Sequence, residues 1–225
     1  MLVQFTNGPH LWSLVLSTAA AGLAAVFIGA CGDDADDGTP ALATVGNTVI
    51  PKAEFTRRLA AVREINAQVG AGQTEPPHIP RRQLIDQMIE GEWIRQEAAA
   101  MGIDAPAAEV ERLAEPFTQQ RDNRMSRLYF RATGGMDGAR VSLLRQKLVD
   151  ARTKPVTEDD IKRFARSLPD QQQPFEEVGR SVKEELRIKH REAALVGLPK
   201  YLRERYRSRT RCGDGFNAPA CGDRS

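Results

Sequence analysis

Three cysteines and three histidines are the residues of this 225-residue chain whose types could do chemistry. Cys212 and Cys221 bracket the stretch CGDGFNAPAC. Two thiols at that spacing can join as a disulfide or form half of a metal site, and no His or third Cys lies near enough in sequence to complete the second. Cys31 stands apart, directly after Ile28-Gly29-Ala30. His10, His78 and His190 fall in an uncharged leader, a Pro-rich loop and a strongly charged helix, the places of ordinary surface histidines. No carboxylate pair, metal spacing, phosphate loop or nucleophile motif is present at a spacing that would assemble a site, so no catalytic residue, metal or cofactor is expected. What the sequence does offer is soft apolar contact. Met88, Trp93, Met101, Met125 and Tyr129 suit a surface that adapts to varied partners, although each has core packing as its plain alternative.

The environment of Cys31 is more specific. Leu11 to Ile28 is apolar or small, and no charged side chain occurs from Met1 to Ala30. An apolar run ending in small residues and a cysteine resembles a bacterial lipoprotein signal with its lipobox. That resemblance implies cleavage before Cys31, diacylglycerol on its thiol, and a protein held on the outer face of the cell membrane. The region before the run lacks Lys and Arg, which departs from the pattern, and an uncleaved transmembrane anchor is the alternative its length just allows. Gly32 to Pro40, GDDADDGTP, has nothing large to bury and reads as a solvated spacer. With export comes an oxidising compartment, and with Cys31 lipidated the free pair is Cys212 and Cys221, for which a disulfide is expected. The chain therefore divides into a signal at 1–30, a spacer at 31–42, a folded domain at 43–208 and a basic, disulfide-bearing tail at 209–225.

The folded part must be built from helices. Pro80 to Ile103 carries Leu84, Ile85, Met88, Ile89, Trp93, Ile94, Ala98 and Met101 at steps of one, three and four, a broad apolar helical face. Arg81, Arg82, Asp86, Glu90, Arg95 and Glu97 are assigned to the opposite side. Pro80 suits the first turn and Gly102 the stop. Before it, ATVGNTVI over Ala43–Ile50 predicts a small hairpin turning at Gly46-Asn47, and Phe55, Leu59, Val62 and Ile65 a helix from Pro51 to about Val69. After it come a helix beyond Pro106 that Pro116 should break or kink, an apolar stretch through Met125 to Phe130, and a helix holding Val141 to Val149. Thr157 and Asp160 form a capping box for another helix. A long last helix from Phe175 toward Tyr206 is expected to bend at Gly197–Pro199.

The order of these pieces resembles the N-terminal chaperone region of the SurA/PrsA family of extracytoplasmic foldases. The residues that carry the resemblance are Val45, Gly46, Leu84, Ile85, Glu97, Ala98, Gly102, Ile103 and Glu109, best over residues 43 to 115. It implies a mainly α chaperone module with a small N-terminal β-hairpin and a long C-terminal helix packing back. In full-length relatives a parvulin prolyl isomerase domain lies between the last two helices, where this chain has only the Pro169–Pro174 connector, a normal loop length.

The expectation is a membrane-anchored chaperone that binds unfolded exported polypeptides without catalysis. A degenerate peptidyl-prolyl isomerase, or an envelope scaffold with one partner, are the alternatives. A formal net charge of +2 argues for no nucleic-acid partner. The run Lys200, Arg203, Arg205, Arg207, Arg209 and Arg211 is either a solvated helix end favoured by the macrodipole or a contact for anionic headgroups.

Overall fold

The computed structural model describes residues 40–70, 80–120, 123–167 and 175–222. The apolar run, Cys31 and nearly all of the spacer lie outside the described residues, as do His10, the loop with His78 and the connector at 169–174. Strands β1 (Ala41–Val45) and β2 (Thr48–Pro51) lead into α1 (Lys52–Gly70), α2 (Arg81–Ala100), α3 (Ala107–Gln119), α4 (Arg124–Ala132) and α5 (Gly135–Arg152). Then come α6 (Glu158–Ser167), α7 (Phe175–Tyr206), a 3-10 turn and β3 (Thr210–Cys212).

Helix α2 is the axis. Pro80 opens it in extended conformation, and Gly102, at φ 67°, closes it where a side chain would be strained. Leu84, Ile85, Met88, Ile89, Trp93, Ile94 and Ala98 are buried as the spacing predicts. So are Gly91, Glu92 and Glu97, because α1, α5, α7 and β1 pack around the helix and leave little of it wet. Glu97 is thus not on a solvated face: it is 2 % exposed. The periodicity marked the apolar stripe except at Met101, which is exposed past the last turn, and could not reveal that neighbours cover the other side as well.

The hairpin turns at Gly46, whose φ of 59° a two-residue connection requires. Its β1 strand also pairs antiparallel with β3, Val45 opposite Thr210 and Ala43 opposite Cys212, so the sheet has the order β2-β1-β3. The segment expected as a tail from 209 is therefore part of the body. Phe216, Ala218 and Ala220 are buried in the main core beside Leu42 and Phe55, and the folded unit begins at Ala41.

Neither internal proline breaks its helix. Helix α3 runs past Pro116 to Gln119, and α7 is continuous through Gly197 and Pro199 to Tyr206. Proline removes one N–H and crowds the preceding turn, a local cost that packing of the rest can absorb. Val110 and Ala114 anchor α3, and Leu198 and Leu202 anchor α7. The capping box forms as written: Asp160 N–H donates to Thr157 Oγ1 at 3.2 Å, and Thr157 N–H donates to Asp160 Oδ2 at 3.1 Å.

Candidate functional site

A cleft of about 960 Å³ opens between β2, α1, α2 and the start of α5. Val49 and Pro51 form one lip, Met88 and Val141 lie in the floor, and Arg57, Gln87 and Arg145 stand on the rim. Most of its charges are paired with one another. Glu54 accepts from Arg58 Nε at 2.6 Å and pairs with Arg57. Arg145 pairs with Glu90 at 2.8 Å, tying α5 to α2. Arg95 donates to Glu92 at 2.9 Å and to Asp137 at 2.6 Å, which Arg58 also approaches at 3.6 Å. Burial pulls the Arg58 guanidinium below its usual value, Asp137 opposes that, and Arg95 adds to it. It stays cationic at any physiological pH.

Arg95 and Asp137 also wall a second, smaller cleft of about 450 Å³ between α3 and α5, with Val110, Met136 and Arg140. The two clefts share this ion pair in their walls and are together termed the groove, with Val49 lining the first and Met136 the second. Both of those residues are exposed apolar side chains. The exposed Phe117 of α3 stacks on Phe130 of α4, ring centroids 5.8 Å apart and 14° from parallel. Clefts with exposed apolar side chains and largely ion-paired walls offer an extended polypeptide both apolar and polar contacts. They contain no activated nucleophile and no acid–base pair held against an open position. Among the described residues no group of three His, Cys, Asp or Glu is placed to hold a metal.

The sequence-selected contact residues are not brought together. Met88 is 5 % and Trp93 2 % exposed and both belong to the main core; Met88 still reaches the floor of the larger cleft, while Trp93 lines neither cleft and is corrected from a client contact to a packing residue. Trp93 also has a polar task, its Nε1 donating to Thr210 Oγ1 at 2.9 Å. Met125 is partly buried against Val62, Ile65 and Leu128. Met101, at the end of α2, and Tyr129, on α4, are 42 % and 43 % exposed and remain available. Val49 and Met136 were missed as cleft residues, and Phe117 as an exposed apolar side chain. Each reads as an ordinary member of a helix or strand pattern, and only the tertiary arrangement leaves it uncovered.

Elsewhere, α2 fastens the C-terminal segment by side chains. Glu97 accepts from Tyr201 at 2.7 Å and Tyr206 at 3.0 Å, with Arg205 at 3.0 Å and Arg152 at 3.8 Å. The Arg152 guanidinium lies 3.5 Å over the Tyr201 ring. Asp86 accepts from Ala220 N–H at 2.8 Å. Cys212 and Cys221 are disulfide-bonded, Cα atoms 5.6 Å apart. His190 is at the surface, its Nδ1 2.9 Å from the Lys154 carbonyl.

The chain is thus a helical module with a small three-stranded sheet and a long returning helix. A family model described as the SurA-like N-terminal domain matches residues 1–153, two thirds of the chain, and the chain belongs to that family. The match ends where α5 ends, before α6, α7 and β3. No curated protein and no solved structure matches the chain.

Proposed function

We propose that this chain is a lipid-anchored extracytoplasmic chaperone that holds unfolded exported polypeptides in the Val49–Met136 groove without turning them over. The observation that carries the reading is the groove itself: exposed apolar side chains at Val49 and Met136 and along α3–α4, with largely ion-paired walls. Apolar side chains of a client would bury against Val49, Met136 and Phe117, each exchange modest on its own. The paired charges would offer polar partners to the client backbone without demanding a particular sequence, so binding would be broad and reversible. Cys31 would carry the acyl chains and keep the groove at the membrane surface. Between α6 and α7 lie residues 168–174, too few to build the shaped pocket that prolyl isomerisation needs.

The test is light scattering of several unrelated unfolded proteins with the full chain at near-equimolar ratio, beside a protease-coupled isomerase assay. Slowed aggregation of most clients, lost in a Val49→Asp, Met136→Asp double variant, with no turnover of Pro-containing peptides, is the expected result. Protection of a single client would favour a scaffold with one partner, and turnover well above buffer an isomerase. Labelling by a palmitate analogue that Cys31→Ser abolishes is expected for the anchor. A variant that still labels would remove it.

A further inference from the structure

A second cleft, about 790 Å³, lies on another face, built by the disulfide loop against the first turn of α2. Arg82, Arg207 and Arg211 line it together with Phe216 and Cys221. Two more cations flank the loop. Arg81 Cζ and Lys52 Nζ sit 5.2 Å and 5.8 Å from the centroid of the Phe216 ring. The strand alternation of β3 puts Thr210 inside and turns Arg211 outward, so the guanidinium faces solvent by register. Opposing acids are few. Asp214 is in the cleft and exposed, while Asp86 is engaged by Ala220 N–H. Among the described residues Lys52, Arg81, Arg82 and Arg211 form no ion pair. That contrasts with the larger cleft, where Arg57, Arg58, Arg95 and Arg145 each meet a carboxylate. Unpaired cations of this density on one face make a local positive field in a protein whose total charge is close to neutral.

The position of this face matters as much as its charge. The chain enters the folded unit beside it: Lys52 N–H donates to the Pro40 carbonyl at 2.9 Å, and Gly213 N–H to the Leu42 carbonyl at 2.9 Å. Gly213 approaches the Ala41 carbonyl so closely that a Cβ there would collide with it, which presses the loop onto the entry strand. A chain leaving Pro40 toward Cys31 spans nine residues, at most roughly 30 Å when fully extended. We propose that the face formed by Lys52, Arg81, Arg82 and Arg211 around the Cys212–Cys221 loop is a docking surface for anionic phospholipid headgroups. It rests on the lipid-anchor reading only for its setting, since the cations stand whether or not Cys31 is acylated. Arginine suits the task because its planar donors meet two phosphate oxygens at once. The consequence is orientation: a tethered domain docked by this face presents one fixed side to the membrane, and the client groove is held in a set direction to it.

The test uses the full chain carrying Cys31→Ala, sedimented with vesicles of phosphatidylcholine alone or with phosphatidylglycerol added. The apolar run Leu11–Ile28 adds the same increment to every variant, so the quantity read is the difference between variants. Binding should rise with phosphatidylglycerol and fall with added salt. Arg82→Gln with Arg211→Gln should weaken the phosphatidylglycerol-dependent part by roughly 25-fold, about fivefold for each cation removed near the surface. The same charge loss on α6, Arg163→Gln with Arg166→Gln, should leave it within about twofold. All four positions are exposed, and circular dichroism checks that each variant folds. Equal binding of the Arg82/Arg211 variant and its parent overturns the proposal, as does an equal loss in the α6 variant. Full displacement by millimolar glycerol phosphate would also overturn it, by making the cleft a site for a soluble phosphate. Failure of palmitate labelling at Cys31 in cells leaves this vesicle result standing, so the two readings fail separately.

Discussion

Two apolar clusters carry this fold, and they are closed in different ways. The larger surrounds α2 and draws on β1, β2, α1, α5, α7 and the disulfide loop, with Leu42, Ile89, Ile94, Leu148 and Leu202 fully enclosed. It is also pinned by polar contacts from α2 to the C-terminal segment at Asp86, Trp93 and Glu97. The smaller joins α1 to α4 through Ala61, Val62, Ile65, Leu128 and Ala132, with Met125 at its margin. Its polar closure lies at the surface, where Arg124 pairs with Glu64 and Asn123 caps α4 through Ser126 N–H. Surface pairs of that kind contribute little. The larger cluster should therefore set global stability, and α4 should open locally at lower cost. Helix α4 carries the exposed Tyr129, and Phe130 stacked on Phe117, so a local opening would move both aromatic side chains.

The sharpest way to break that contrast is a matched pair of truncations. Leu202→Ala, in the larger cluster, should destabilise by about 4 kcal/mol, and Leu128→Ala by about 2 kcal/mol, both read from urea denaturation. Amide exchange should find the second loss confined to α1 and α4. Equal costs spread over both clusters would mean that they unfold as one unit.

Next in size is the disulfide. Replacing Cys212 and Cys221 with serine should cost about 3 kcal/mol by the chain-entropy relation for so short a loop. Exchange should quicken in β1 and β3, which the loop backs, and stay unchanged in α4. Faster exchange in α4 would dissolve the distinction between the two regions.

Smaller still is the loss of one hydroxyl. Tyr206→Phe removes a donor to the buried Glu97 carboxylate and should cost about 1.5 kcal/mol at neutral pH. Burial pushes the Tyr206 phenol above its usual value, with the Arg205 hydrogen bond opposing it. A group raised in the folded state adds stability below its unfolded value near pH 10 and loses it as pH rises further. Tyr206→Phe should thus lessen the alkaline decline in melting temperature. An unaltered alkaline limb would place the cause in other groups.

The same contrast explains what could be read in advance. Local chemistry was legible: the Gly46 turn, the Pro80 and Gly102 limits of α2 and the Thr157–Asp160 box depend on residues within a few positions of one another. Glu97 was not. Its type and its place beside Gln96 and Arg95 suit a wet face, and its partners Tyr201 and Tyr206 lie more than one hundred residues away. Trp93 was misread for a related reason, since an apolar side chain looks the same in sequence whether a neighbour covers it or a client does. Thr210–Cys212 is too short and too basic to announce a strand, and becomes one because β1 offers an open edge. The groove was invisible because its lips come from β2, α1, α3 and α5 at once.

The smallest expected effect belongs to α6, which packs on α7 and is the short helix whose start is written most plainly in the sequence. Thr157 and Asp160 satisfy one another's backbone N–H groups, and the Thr157 hydroxyl also donates to Asp160 Oδ2 at 2.7 Å. Those hydrogen bonds, first the hydroxyl and then the backbone N–H, hold the Asp160 carboxyl below its ordinary value. The sign follows. A carboxyl depressed in the folded state stabilises above its unfolded value near pH 4, and that contribution is lost as pH falls through the lower folded one. Acidification below about pH 4 should therefore loosen the first turn of α6 ahead of the helices that surround α2. Thr157→Ala removes both hydroxyl contacts, so at neutral pH the amides of α6 should exchange about fivefold faster and Asp160 should titrate nearer its ordinary value. Carboxyl chemical shifts followed against pH give the second quantity directly. A titration of Asp160 unmoved by Thr157→Ala would separate the hydroxyl from the shift and leave the residue-157 backbone N–H, with Lys154 and Arg163, as its source.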